Sequence, residues 1–377
     1  MRGARNALNR REFLLGSGCL GAGLATVRAG IVHGAIAGTR SEATREVALH
    51  LIEARPQPVL GIGDPDAAGN QFGFEGGCAF EHHGAYHLFT TEMVGRPFWV
   101  RTRLAHWTSP DLIHWRRQGT LFESSGECRG QDPRAALWAP MPIYDEGERR
   151  WYLFYVAYRC LPNQPGKWLT NISGHIWRAV SEHPGPNGLG GPYRDLGVIM
   201  QPDSASQSWE GVQGVDSFFP YRVGREWLAI YGSAQTDTPA ALTRVGLARS
   251  PTLGGPWRRA TLGNPLPIEG VFIENPIVHR LERGGFIAIY DSDVPNCFGY
   301  SFSADGMHWS RGLQARATAS SGAWTTNVRT PLGLMPVGQH RVAVLYTGYR
   351  NVRTPFPDTR EPGDSAVGLA YFELRDR

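Results

Sequence analysis

The sequence predicts an all-β fold, a five-bladed β-propeller of four-stranded antiparallel blades, on three observations. The 377 residues include 47 Gly, 27 Pro, 12 Trp and 13 Tyr, a composition of many turns joining aromatic-rich strands rather than long helices. A hairpin plan of strand, polar turn, aromatic and apolar strand recurs five times. A looser unit that ends in Trp or Tyr follows four of those five hairpins.

The first hairpin reads as Cys78 to Glu81 and Tyr86 to Thr90 around the turn His82-His83-Gly84-Ala85, with the glycine supplying the positive φ that tight hairpins need. The same plan returns at 137 to 158, 215 to 233, 273 to 293 and 328 to 348. The looser units are "AHWTSPDLIHW", ending at Trp115, "AVSEHPGPNGLGGPY" at Tyr193, "ARSPTLGGPW" at Trp257 and "SFSADGMHW" at Trp309. Only "AVGLAYFEL", 366 to 374, follows the fifth hairpin. Five copies of a four-stranded unit suit a propeller whose innermost strands face a shared axis. Two packed sheets of a sandwich fit the same spacing and remain the structural alternative.

The expected organisation is an export signal over 1–37, a short lead-in over 38–57 and the propeller over 58–377. In "NRREFLLGSGCLGAGLA" the pair Arg10-Arg11 stands directly before a short, glycine-rich apolar run, and Ala35-Ile36-Ala37 supplies small residues for cleavage. That order resembles a twin-arginine signal. The expected location is therefore periplasmic or extracellular, with the twin-arginine export machinery as a partner. Cys19 is a poor lipidation site because Gly16 stands where a large aliphatic residue is wanted. No later segment reaches ~18 uninterrupted apolar residues, so no membrane span is expected. The 38 basic and 34 acidic residues are interspersed, without the basic stripe of a nucleic-acid binder. Past the signal stand Cys78, Cys128, Cys160 and Cys297, and their pairing is not readable from spacing.

Three hairpins carry a carboxylate at one register. Counted back from the aromatic after the turn, Glu75 stands 11 residues before Tyr86, Asp216 stands 11 before Trp227 and Glu274 stands 12 before Phe286. In a propeller these places open the innermost strands and converge at one end of the central funnel. Crowded carboxylates repel, so one of them should keep a proton near neutral pH. That is the condition for a general acid and a general base on either side of a glycosidic bond. Phe74, Trp138 and Phe218 are candidates to stack on a sugar ring. Arg329, which opens the fifth inner strand, is a candidate to bind hydroxyls or a carboxylate. Glu92 and Asp291 end second strands on the same side and are further binding candidates, as is Asp132. No histidine spacing suggests a transition-metal site.

The hairpins, "SPDLIHW" and "LWAPMPIYDEGERRWYLFYVAY" resemble the five-bladed propeller glycoside hydrolases, most closely family 43 and its fructan-cleaving relatives of the family 32 type. The likeness runs from about Pro58 onward. It implies that Glu75 acts as base or nucleophile, that Asp216 tunes the pKa of the acid and orients substrate, and that Glu274 is the proton donor. It also implies an oligosaccharide or polysaccharide substrate, arabinofuranosides or xylosides before fructosides, cleaved with inversion. No cofactor is expected; some members hold a calcium ion in the central channel, but the sequence supplies no ligand set for one. The chain departs from the family at several points. Glu75 in "FEGG" replaces an Asp, Met141 takes the acid position of the "WAPD" element, and "ENP" stands where "EGP" is usual. Glu269 is a rival proton donor just upstream, and "GQDPR" around Asp132 faintly resembles the Arg-Asp-Pro motif of the fructan enzymes. Three alternatives stay open: a binding propeller without catalysis, a retaining fructosidase-like enzyme, and phosphate-dependent cleavage.

Overall fold

The computed structural model describes residues 47–164, 167–238, 241–261, 263–282, 284–318, 323–325, 327–350 and 365–376. The export signal, its cleavage point at Ala37 and Cys19 lie outside the described residues. The first strand, β1 (Val47–Ala54), belongs to the last blade. Blade one is β2 (Gly73–His82), β3 (Ala85–Met93), β4 (Thr102–Ser109) and β5 (Arg116–Glu123). Blade two is β6 (Ala136–Asp145), β7 (Arg150–Gln164), β8 (Lys167–Ser181) and β9 (Tyr193–Met200). Blade three is β10 (Asp216–Val223), β11 (Glu226–Ala234), β12 (Thr243–Ser250) and β13 (Arg258–Arg259). Blade four is β14 (Ile273–Arg280), β15 (Phe286–Ser292), β16 (Cys297–Ser303) and β17 (Leu313–Arg316). Blade five is β18 (Asn327–Pro336), β19 (Arg341–Tyr349), β20 (Ser365–Asp376) and, outermost, β1. The sequence therefore places the domain start too late: Val47–Ala54, read as lead-in, pairs antiparallel with β20 and completes the fifth blade.

Burial explains why some strands stand out in the sequence and others do not. Second strands such as β15, "FIAIYDS", and most of β19 are buried on both faces between neighbouring blades, so they read as continuous apolar runs. Fourth strands lie at the rim: β5 alternates exposed and partly buried residues and carries little hydrophobic signal. The hairpin turn of blade one is the two-residue loop His83-Gly84, with φ of 52° and 76°, the positive pair that matches strand twist. The Trp-ending units are built turns. Asp111 accepts from the backbone N–H groups of Ile113 and His114, and Asp305 from those of Met307 and His308; Asx turns of this kind substitute for backbone pairing. The ring that ends each unit then packs into its blade, with Trp115 donating to the Leu112 carbonyl at 3.0 Å and Tyr193 to the Leu189 carbonyl at 2.7 Å.

Candidate active site

Each inner strand breaks its register near its start. The slips fall between Glu75 and Gly77, Trp138 and Met141, Asp216 and Phe219, Glu274 and Ile277, and Val328 and Pro331. In four blades the residue just after the first of these is left-handed: Gly76, Ala139, Ser217 and Asn275 have φ of 62°, 52°, 51° and 50°. A bulge inserts a residue and re-aims side chains. Glu75, Asp216 and Glu274 thus occupy matching bulge positions in three blades, Trp138 holds the place in blade two, and the fifth blade presents Arg329 from within its bulge. The bulges also tie neighbouring blades together. The Ala139 N–H donates to Thr91 Oγ1 at 3.0 Å, the Asn275 N–H to Ser217 Oγ at 3.1 Å, and Thr330 Oγ1 to Glu75 Oε1 at 2.6 Å.

Arg329 joins the acids. Its Nη2 lies 2.7 Å from Glu274 Oε2, its Nη1 3.0 Å from Asp291 Oδ2 and its Nε 3.6 Å from Glu75 Oε1. Burial alone lowers an arginine pKa, but Asp291, Glu274 and Glu75 outweigh it and hold Arg329 above its ordinary value. The guanidinium also stands over the Phe272 ring, 5.7 Å from its centroid, a cation–π contact in a largely desolvated place. One planar group thus touches Glu75 and Glu274 at once, which confines their carboxylates to the span of a guanidinium and two ion-pair contacts.

The three acids differ in surroundings. Glu75 is almost fully buried and accepts from Thr330, from Thr347 Oγ1 at 3.4 Å and, through Oε2, from the Tyr349 hydroxyl. Asp216 is equally buried, accepting from its neighbour Ser217 N–H at 2.6 Å and from Gln213 Nε2 at 3.3 Å. Burial first, and then the charge of Glu274, push the Asp216 carboxyl up to about 7, against the opposing hydrogen bonds of Tyr158 and Ser217. Tyr158 is pushed well above its ordinary value by burial and by the charge of Asp216. The Glu274 side chain keeps 14% exposure against 4% for Glu75, so Glu274 is the acid most open to the funnel.

Other expected residues lie elsewhere. Phe74 is fully buried against Trp107, ring centroids 5.9 Å apart, and Phe218 packs between Phe154 and Trp257; neither presents a face to a ligand. Trp138 stands at the bulge position of blade two, donates to the Trp99 carbonyl at 3.1 Å and packs on the Trp99 ring. Asp132 caps its own turn by accepting from the Arg134 N–H at 2.8 Å. Glu92 turns into the body of blade one, fully buried and bound by Arg103, Arg117 and Trp107. Glu269 accepts from Tyr290 and Gln314 of blade four, beside the sheet rather than among the three acids. Asp291 does join the cluster, through Arg329. The tyrosines Tyr158 and Tyr349 and the threonines Thr330 and Thr347 carry no mark in the sequence. The ends of second strands draw notice there only where they are acidic, and a tyrosine at the same place reads as core.

Among the described residues no group of three or more His, Cys, Asp or Glu is arranged to hold a metal ion. A groove of about 560 Å³ lies apart from the acids, lined by residues that include Gln71, Arg96, Arg101, Glu123, Ser124 and Gly126.

No family model matches the chain, and no curated protein matches its sequence. Solved structures do match. A family 117 glycoside hydrolase from Zobellia galactanivorans superposes with a TM-score of 0.56 at 13% identity, over 88% of this chain and 90% of that one. An α-L-arabinofuranosidase from Podospora anserina, in complex with cellotriose, gives 0.54 at 14% identity over 84% and 95%. An α-L-arabinofuranosidase from Lactobacillus brevis gives 0.51 at 13% identity over 78% and 90%. These likenesses bear on the fold, which the chain shares along most of its length with propellers of glycoside hydrolases.

Proposed function

We propose that the chain is an exported glycoside hydrolase that cleaves arabinofuranoside- or xyloside-like bonds, with inversion, by carboxylate acid–base catalysis. The observation that carries this reading is the gathering of Glu75 and Glu274 on one guanidinium, with Asp216 at the matching bulge of the blade before Glu274. Burial and the charge of Glu274 let Asp216 keep a proton near neutral pH. Glu274, the more open member, delivers that proton to the leaving oxygen. Before that transfer the protonated Asp216 Oδ2 donates to Gln213 Oε1, with the amide turned over; Gln213 Oε1 has no hydrogen-bond partner in the amide orientation described. Glu75, held by Thr330, Thr347 and Tyr349, takes the proton of the attacking water. As the substrate enters, its hydroxyls compete for Arg329, which loosens the contact to Glu274.

The likeness to arabinofuranosidases and other glycoside hydrolases supports the substrate class. The twin-arginine pattern supports action outside the cytoplasm. The test is a screen of nitrophenyl furanosides and pyranosides, with the stereochemistry of the first product read by NMR. Glu75→Gln and Glu274→Gln should each lower kcat by about 10²- to 10⁴-fold. Unchanged turnover in both would sink the reading. A propeller that only binds glycans is a second reading, favoured by the absence of an acid at the bulge of blade two. It predicts no turnover by wild type and equal glycan affinity in both variants.

A further inference from the structure

The segment between β5 and β6 lies flat on blade two. Arg159 of β7 donates from Nη1 to the Gly130 carbonyl at 2.8 Å and to the Gln131 carbonyl at 3.3 Å. At Gly130, with φ of +81°, a Cβ would sit 2.1 Å from Leu161 Cδ2 and 3.9 Å from the Cys160 carbonyl oxygen. The segment is held in shape by Glu127, whose carboxylate accepts from the N–H groups of Arg129, Gln131 and Asp132. Two residues before Gly130, the partly buried Cys128 packs on the same core that contains Cys160. Its thiol neighbours that of Cys160 and donates to the Gly126 carbonyl at 3.5 Å. The other two described cysteines lie elsewhere: Cys78 in blade one, donating to the Pro140 carbonyl at 3.7 Å, and Cys297 at the start of β16 in blade four.

We propose that Cys128 and Cys160 form a redox-responsive disulfide site that pins the segment between β5 and β6 to blade two. The pairing does not depend on the hydrolase reading. The same segment contributes Ser124, Ser125 and Gly126 to the groove beside Arg96 and Arg101, so the bond fixes one wall of that groove. Burial and the neighbouring thiol raise the pKa of Cys160, while Cys128 is the more exposed of the two and reacts first. With a disulfide oxidant such as oxidised glutathione, the Cys128 thiolate attacks one glutathione sulfur and expels a glutathione thiolate. The Cys160 sulfur then gives up its proton, attacks Cys128 Sγ and releases the second glutathione. Two protein thiols lose two electrons, one glutathione disulfide gains them, and the thiol protons end on the two glutathiones.

The experiment incubates the folded full chain with oxidised glutathione, alkylates remaining thiols under denaturing conditions and maps the peptides without reduction. The expected result is a single crosslinked peptide joining Cys128 to Cys160, with the buried Cys78 and Cys297 alkylated. A rise of about 5 °C in Tm, reversed by a reductant, should accompany it, because the bond closes a long loop in the unfolded chain. Cys160→Ser should instead accumulate a glutathione adduct on Cys128, with no rise in Tm. The proposal is overturned if oxidised wild type retains both thiols, stops at a glutathione adduct on Cys128, or links a different pair.

Discussion

Asp216 shows at the scale of one residue how burial produces chemistry. A carboxyl raised to about 7 from an ordinary 3.8 binds a proton in the folded chain over a range where the unfolded chain has lost it. Stability from this group is therefore full below its unfolded pKa and is lost as pH rises through the folded value. Two outcomes follow. Activity should decline as pH rises through about 7, where Asp216 gives up its proton. Asp216→Asn should be more stable than wild type above pH 8 and much less active. The gain should reach up to a few kcal/mol, since a tenfold change in proton affinity is worth ~1.4 kcal/mol. Urea denaturation at pH 5 and pH 8.5 checks the sign: a variant that gains nothing at the higher pH would remove Asp216 as the proton store. The positions of Glu75, Asp216 and Glu274 were legible because their spacing to the next aromatic repeats. Phe74 was misjudged because an aromatic next to an acid points to the opposite face of a strand, and Phe218, two residues past Asp216, because the bulge between Asp216 and Phe219 breaks that alternation; both rings go into the packing between sheets.

At the scale of the element, the bulge converts a strand start into a site. The left-handed residues Ala139, Ser217 and Asn275 sit where glycine would be easier, each just after its blade's bulge-position residue. Blade one uses glycine for this and for closer contact: at Gly77, with φ of +112°, a Cβ would lie 1.9 Å from the Phe89 carbonyl oxygen. Gly77→Ala should therefore destabilise by about 3 kcal/mol or more, since backbone on the partner strand must move. Gly119 in β5 has open space around it and an ordinary φ, so Gly119→Ala should stay within about 0.5 kcal/mol. Equal midpoints for the two variants in urea would show that the bulge tolerates a Cβ after all. Hairpins were legible from their turns and apolar runs, whereas the bulge was not: one extra residue in a strand leaves only a one-residue change in spacing.

On the scale of the whole molecule, closure of the ring depends on joining the two ends of the described chain. β1 pairs with β20 from Val47↔Asp376 to Ala54↔Ala370, and it covers an edge that would otherwise offer a row of unpaired backbone groups. The N–H of Ser365, at the start of β20, donates to the Phe72 carbonyl at 3.2 Å and so fastens blade five to the lead-in of β2. A chain beginning at Arg55 should lose more than about 10 °C in Tm and associate in a concentration-dependent way, compared with one beginning at Glu46. Thermal unfolding and size-exclusion chromatography of the pair decide it, and matching behaviour would show that the fifth blade closes without its outer strand.

By itself the sequence determined the blades and the shared register of three carboxylates, because period, turn chemistry and register are local properties that repeat along the chain. Only the tertiary structure decided what surrounds those acids. Arg329, Tyr349, Thr330 and Tyr158 come from other blades, and the partner of Cys128 comes from a strand of the next one. Contacts between distant segments leave no spacing to read, and they exist only once the sheets have closed around a common axis.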